Sequence, residues 1–107
     1  MPKYLFTGSF TQQGGKGVVA EGGTGRVKAI AALFESVGGR LESYHFAFGG
    51  DDYVVIGELP DNVAAAAAAM AVAGSGAVNN RTVVLLTPEE LDQVSSRSRP
   101  AYRAPGA

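Results

Sequence analysis

The sequence predicts an α+β fold of the ferredoxin-like type, βαββαβ, built on a four-stranded antiparallel sheet. Three observations predict it. Four short segments alternate with the period of a strand, over 3–10, 40–48, 52–59 and 78–87. Two segments with helical spacing separate the first from the second and the third from the fourth. The stretch from Phe48 to Asp61 reads as a strand end, a tight turn, a strand and a helix start at Pro60-Asp61, which fixes the middle of the pattern.

The first strand, Lys3 to Phe10, sets Tyr4, Phe6 and Phe10 on one face and Leu5, Thr7 and Ser9 on the other. Thr11 to Gly25 holds six of the 15 glycines and reads as a loop, with at most a helical turn at Val18-Val19-Ala20. A helix is expected over Arg26 to Val37, capped by Thr24. Val27, Ile30, Ala31, Phe34 and Val37 form its buried stripe, and Gly38-Gly39 ends it. The second strand, Arg40 to Phe48, aligns Tyr44, Phe46 and Phe48. A hairpin turn leads to the third, Asp52 to Leu59. Asp61 caps an alanine-rich helix reaching about Ala73, with Val63, Ala66, Ala67, Met70 and Ala71 as the expected inner stripe. Gly74-Ser75-Gly76 stops it before the fourth strand, Val78 to Thr87. Thr87 and Glu90 then form a capping box at the head of a short last helix.

At 107 residues the chain is long enough for one domain, expected over 1–95, followed by a basic tail over 96–107 expected to be disordered. Removing Arg97, Arg99 and Arg103 of that tail leaves 6 basic and 10 acidic residues, a body charge of −4, which argues against a phosphate backbone as partner. No cysteine is present, so disulfides and thiolate chemistry are excluded. The N-terminal residues run straight into a strand pattern, and the longest apolar run, Val63 to Ala73, is too short to span a bilayer. The expectation is a cytoplasmic protein that engages neither nucleic acid nor membrane.

The order of elements, Gly38-Gly39 before the second strand, the Gly49-Gly50-Asp51-Asp52 turn and Pro60-Asp61 together resemble the GYD domain family. Gly49 and Asp52 match the motif that names the family; Asp51 stands where it has tyrosine. The resemblance covers Lys3 to about Leu91. It implies kinship with the dimeric α/β barrels and carries no established activity, so no catalytic residue comes with it.

Both faces of the strands carry apolar residues, with Tyr4, Phe6, Tyr44, Phe46 and Phe48 on one side and Leu5, Val54, Ile56 and Leu85 on the other. Helices cover only one face of such a sheet. A large exposed apolar face is uncommon, so a homodimer with facing sheets is expected.

His45, the only histidine, is the one side chain that ordinarily titrates near neutrality. A four-residue loop, Gly49 to Asp52, would set Phe46 opposite Val55, His45 opposite Ile56 and Ser43 opposite Glu58, which makes His45 and Glu58 diagonal neighbours. A three-residue loop would place Glu42 opposite Glu58, a like-charge pair. His45, Glu58 and Ser43 are therefore the candidate ligand-binding residues. A histidine held by a carboxylate is the arrangement of a general base, but it is also ordinary at a strand surface or interface, and that plainer reading is preferred. One histidine with scattered carboxylates lacks metal-ligand spacing, so no metal and no cofactor is expected. Asp51 and Asp52 are read as turn residues capping backbone N–H groups. Gly15-Lys16-Gly17-Val18-Val19-Ala20 fits a dinucleotide-binding pattern only by chance, since the following strand is not parallel. Gly22-Gly23-Thr24-Gly25-Arg26 opens a helix, a position that attracts anions, though a small-residue loop is the simpler reading.

The functional expectation is a homodimeric module that binds a small apolar or aromatic molecule in an aromatic-lined pocket. The alternatives are a cofactor-independent enzyme of the monooxygenase or isomerase kind found among dimeric α/β barrels, and a purely structural dimerisation module.

Overall fold

The computed structural model describes residues 1–97 and 100–107. The strands are β1 (Lys3–Phe10), β2 (Arg40–Phe46), β3 (Tyr53–Glu58) and β4 (Val78–Leu85). The helices are α1 (Gln12–Glu21), α2 (Gly23–Ser36), α3 (Asn62–Gly74) and α4 (Pro88–Ser96). The strands form one sheet in the order β2-β3-β1-β4, antiparallel throughout. This is the ferredoxin-like α+β architecture expected from the segment order.

The alternation in β1 sorts the sheet. Tyr4, Phe6 and Phe10 share a face with Tyr53 and Val55 of β3, Tyr44 and Phe46 of β2, and Val78 and Asn80 of β4. Helices α2 and α3 cover this inner face. The core joins Tyr4, Phe6, Tyr53, Val55 and Val78 to Ile30 and Phe34 of α2, Ala65 and Ala68 of α3, and Leu59. The Phe6 and Phe34 rings lie 5.2 Å apart. Phe34 sits directly over Gly57, where a Cβ would collide with the ring. Asp61 accepts from the Ala64 N–H at 2.8 Å and starts α3, and Thr87 and Glu90 complete the capping box of α4, both as expected.

Four local expectations need correction. The segment from Thr11 to Gly25 is not a loop: Gln12–Glu21 is helical, and Gly22, at φ 83°, joins it to α2. Thr11 explains this, since its side chain accepts from Gly14 N–H and donates to the Gly76 carbonyl, while its own N–H bonds Ala77. That anchoring outweighs the poor helix propensity of three interior glycines. In consequence Thr24 is not the cap of α2, which begins at Gly23 after a Gly22 cap that makes no side-chain bond.

The α3 stripe is also rotated from the one expected. Ala65 and Ala68 are buried with Ala64, Ala69 and Val72 packed beside them, whereas Val63 and Met70 are 78% and 74% exposed. Six consecutive alanines carry no hydrophobic phase, so small side chains meet the sheet and the large ones face out. The second strand stops at Phe46, leaving Phe48 exposed, and β4 stops at Leu85, before Leu86 and Thr87.

The hairpin register is the fourth difference. Phe46 pairs with Tyr53, His45 with Val54, Tyr44 with Val55 and Ser43 with Ile56, and an irregularity between Leu41 and Ser43 then sets Arg40 opposite Glu58. The turn spans six residues, Ala47 to Asp52, closed by Ala47 N–H to the Asp52 carbonyl at 2.8 Å. The turn lengthens because Asp52 is tied elsewhere. Its N–H bonds the Gly8 carbonyl and its carboxylate accepts from Phe10 N–H at 2.9 Å.

Helix α4 buries none of its residues, and Leu86, Leu91 and Val94 stay exposed. Of the tail arginines, Arg99 lies outside the described residues. Among the described residues no helix is long and apolar enough to cross a membrane.

Candidate functional site

The inner face closes over a recess between α2, α3 and the sheet. Its walls are apolar and aromatic, with Phe10, Tyr44 and Tyr53 from the strands, Ile30 and Phe34 from α2, and Val72 from α3. The Phe10 and Tyr53 rings stand 5.4 Å apart and those of Tyr44 and Phe46 4.8 Å apart, so four aromatic rings form a continuous cluster at one end of the sheet. Free space inside is about 20 Å³, room for about one water molecule. A larger occupant must therefore move side chains at the rim, where Tyr44 and Arg26 are only partly buried and Phe46 is exposed.

Four polar groups enter this apolar setting, from Tyr53, Asn80, Tyr44 and Arg26. Tyr53 donates its hydroxyl proton to Asn80 Oδ1 at 2.6 Å, and Asn80 Nδ2 donates to Thr82 Oγ1 at 3.2 Å. Burial pushes the Tyr53 phenol up to about 12 and raises Tyr44 as well, while the positive charge of nearby Arg26 opposes both shifts. Both phenols therefore stay protonated at neutral pH. Arg26 is the fourth group. It stands in the first turn of α2, four residues before Ile30, and thus heads the buried side of that helix. Its Nε is shut off from solvent and has no hydrogen-bond partner among the described residues.

The opposite face of the sheet carries the residues expected from sequence. Ser43, Ile56, Leu5 and Val83 form one row across all four strands, and His45, Val54, Thr7 and Arg81 the next. Val54 and Val83 are 37% and 44% exposed. Among the described residues three ion pairs fringe this face: Lys3 with Glu42, Arg40 with Glu58, and Arg81 with Asp51.

His45 and Glu58 are thus not cross-strand neighbours, as the shorter loop required. His45 faces Val54, four positions along β3, and Glu58 bonds Arg40 Nε at 2.6 Å. That bond and the charge of Arg40 hold the Glu58 carboxyl below its usual range. Ser43 sits opposite Ile56 rather than Glu58. All three lie on the outer face, across the sheet from the aromatic recess. Asp52 caps a backbone N–H as read from the turn, but Asp51 instead takes both oxygens to Arg81 Nη2, at 2.7 and 2.6 Å, and accepts from the Thr7 hydroxyl.

Tyr53 and Asn80 carry no site motif in the sequence, and Arg26 enters there only as the last residue of the Gly22 to Arg26 helix start. Strand alternation does place Asn80 beside Val78 on the inner face, which is the signal of a polar group inside. The Arg26, Ile30, Phe34 spacing marks a cation at the head of an apolar stripe. Both signals need the strand pairing to become a site. Among the described residues no group of three or more histidines, aspartates or glutamates is placed to hold a metal ion.

A family model for the GYD domain matches residues 4–94. No curated protein and no solved structure matches the chain.

Proposed function

The chain belongs to the GYD domain family, and on that footing we propose that it is a homodimeric module binding a small aromatic or apolar molecule in the recess of its inner face. The observation that carries this reading is the composition of the recess: aromatic and aliphatic walls with a few convergent polar groups, the usual make-up of a small-molecule site. The closed recess has little free volume, so binding requires Tyr44 and Phe46 to swing outward.

The enzyme reading is weaker at this site. Neither histidine nor a carboxylate lines the recess, and its two phenols are held protonated. Proton transfer near neutral pH has no obvious agent there. His45 serves better on the outer face. There Leu5, Val54, Ile56 and Val83 form an apolar patch bordered by charge, suited to a second copy of the sheet, with Ser43 and His45 at its edge. Any ligand contact made by His45, Ser43 or Glu58 would then belong to the space between two sheets.

Native mass spectrometry of gently purified protein tests both parts. A dimer carrying extra mass supports the reading, a bare dimer moves it toward a structural module, and a monomer at micromolar concentration overturns the facing-sheet arrangement.

A further inference from the structure

We propose that Arg26 is the anion-binding residue of the recess, and that the molecule selected is a monocarboxylate carried on an aromatic or short aliphatic body. The inference rests on reading the recess as a binding site and deepens it.

Every other cation of the sheet faces has a carboxylate. Lys3 has Glu42, Arg40 has Glu58, and Arg81 takes both oxygens of Asp51. Among the described residues Arg26 forms no ion pair, although it alone lines the apolar recess. Glu21 lies nearby on α1, close enough to influence Tyr44, yet it is exposed and does not pair with the guanidinium. A partly buried arginine whose Nε is shut among apolar walls without an acceptor costs stability unless something completes it. A carboxylate fits the planar fork with two parallel hydrogen bonds.

The surroundings add to this. Arg26 follows Gly23, Thr24 and Gly25 in the first turn of α2, whose cap, Gly22, offers no side-chain acceptor to their N–H groups. The positive end of the helix therefore reinforces the guanidinium. The Phe46 ring packs against Gly23, which brings this helix end to the rim of the aromatic cluster. Tyr44, whose hydroxyl oxygen interacts with the Arg26 guanidinium, keeps its proton and can donate it to the same anion.

Charge number sets the class. One guanidinium balances one negative charge, and the recess holds no second cation. A phosphate would bring extra charge into walls that cannot compensate it. The aromatic rings and Ile30, Val55 and Val72 would cover the body of the acid.

Calorimetric titration of the full chain with benzoate, phenylacetate and hexanoate, each beside its neutral amide, tests the inference. The expected result is that at least one acid binds about tenfold or more tighter than its amide. In Arg26→Gln that preference should shrink to within about twofold, while Arg26→Lys keeps part of it. Circular dichroism establishes that each variant is folded. Should a variant fail to fold, the acid-to-amide ratio in the unaltered protein still decides. Equal binding of acids and amides overturns the carboxylate inference and leaves the recess reading standing. An acid preference that survives Arg26→Gln overturns the role of Arg26. Binding of none of the six compounds overturns both the inference and the recess reading beneath it.

Discussion

Tyr53 shows how one residue couples packing to titration. Its ring closes the core between Phe10 and Tyr44, and its hydroxyl bonds Asn80. Burial is the main cause of its raised pKa, about 12 against an ordinary 10.0. The unfolded chain ionises first, so the stability held by this group is complete below pH 10 and is lost as pH rises through about 12. Tyr53→Phe should flatten that alkaline limb in urea unfolding followed between pH 9 and pH 12, and should cost about 1 kcal/mol at neutral pH by leaving Asn80 Oδ1 without its donor. Glu58 runs the other way. Arg40 lowers its pKa, so its contribution is present above the ordinary carboxylate value of 4.5 and fades as pH falls through the lowered one. The pair is at the surface, so Glu58→Gln should change the acid limb only slightly, and less at high salt. At Gly57 the issue is space. Gly57→Ala drives a methyl into the Phe34 ring, and a thermal melt should show a loss of about 1–3 kcal/mol.

Among the elements, α1 is the most informative. Its glycines favour a loop, and the helix exists because Thr11 and Ala77 hold its first turn beside the start of β4. Gly14 lies against the Ala77 carbonyl with no room for a side chain, whereas nothing approaches Gly15 or Gly17 within 4 Å. Gly15→Ala and Gly17→Ala should therefore each stabilise the protein by about 0.5–1 kcal/mol, and Gly14→Ala should destabilise it, in equilibrium unfolding. Helix α3 gives the complementary case. Its alanines form the helix by propensity and let it approach the sheet closely, but its start depends on Asp61. Asp61→Ala should cost about 1 kcal/mol by removing the acceptor for Ala64 N–H.

On the scale of the whole molecule, the two faces of the sheet divide the work. The inner face is covered by α2 and α3 and holds the recess. The outer face presents Leu5, Val54, Ile56 and Val83 with no helix over them. Helix α4 also buries nothing, and the radius of gyration, 16.8 Å, exceeds the roughly 13 Å expected of a compact chain of this length. Under the dimer proposal a charge at the centre of the outer face should separate the copies. Leu5→Glu is expected to shift light-scattering mass from dimer to monomer while the far-ultraviolet dichroism is kept. An unchanged mass would place any dimer contact elsewhere.

The sequence by itself determined the βαββαβ order, the aromatic face of β1, β2 and β3, the caps at Asp61 and Thr87 and the family resemblance, because these rest on local signals: strand alternation, cap chemistry and turn residues. Only the tertiary structure decided the rest. The β2–β3 register depends on where Asp52 bonds, and Asp52 reaches across to Gly8 and Phe10 of β1, more than 40 residues away in the chain. That register separated His45 from Glu58. The buried face of α3 was set by packing, since a run of alanines has no apolar phase to read. Arg26 became a candidate for the same reason. A cation in a glycine-rich segment looks solvated in sequence, and only the closure of α2 over four aromatic strand residues puts it where, among the described residues, its Nε has no acceptor and its charge no carboxylate.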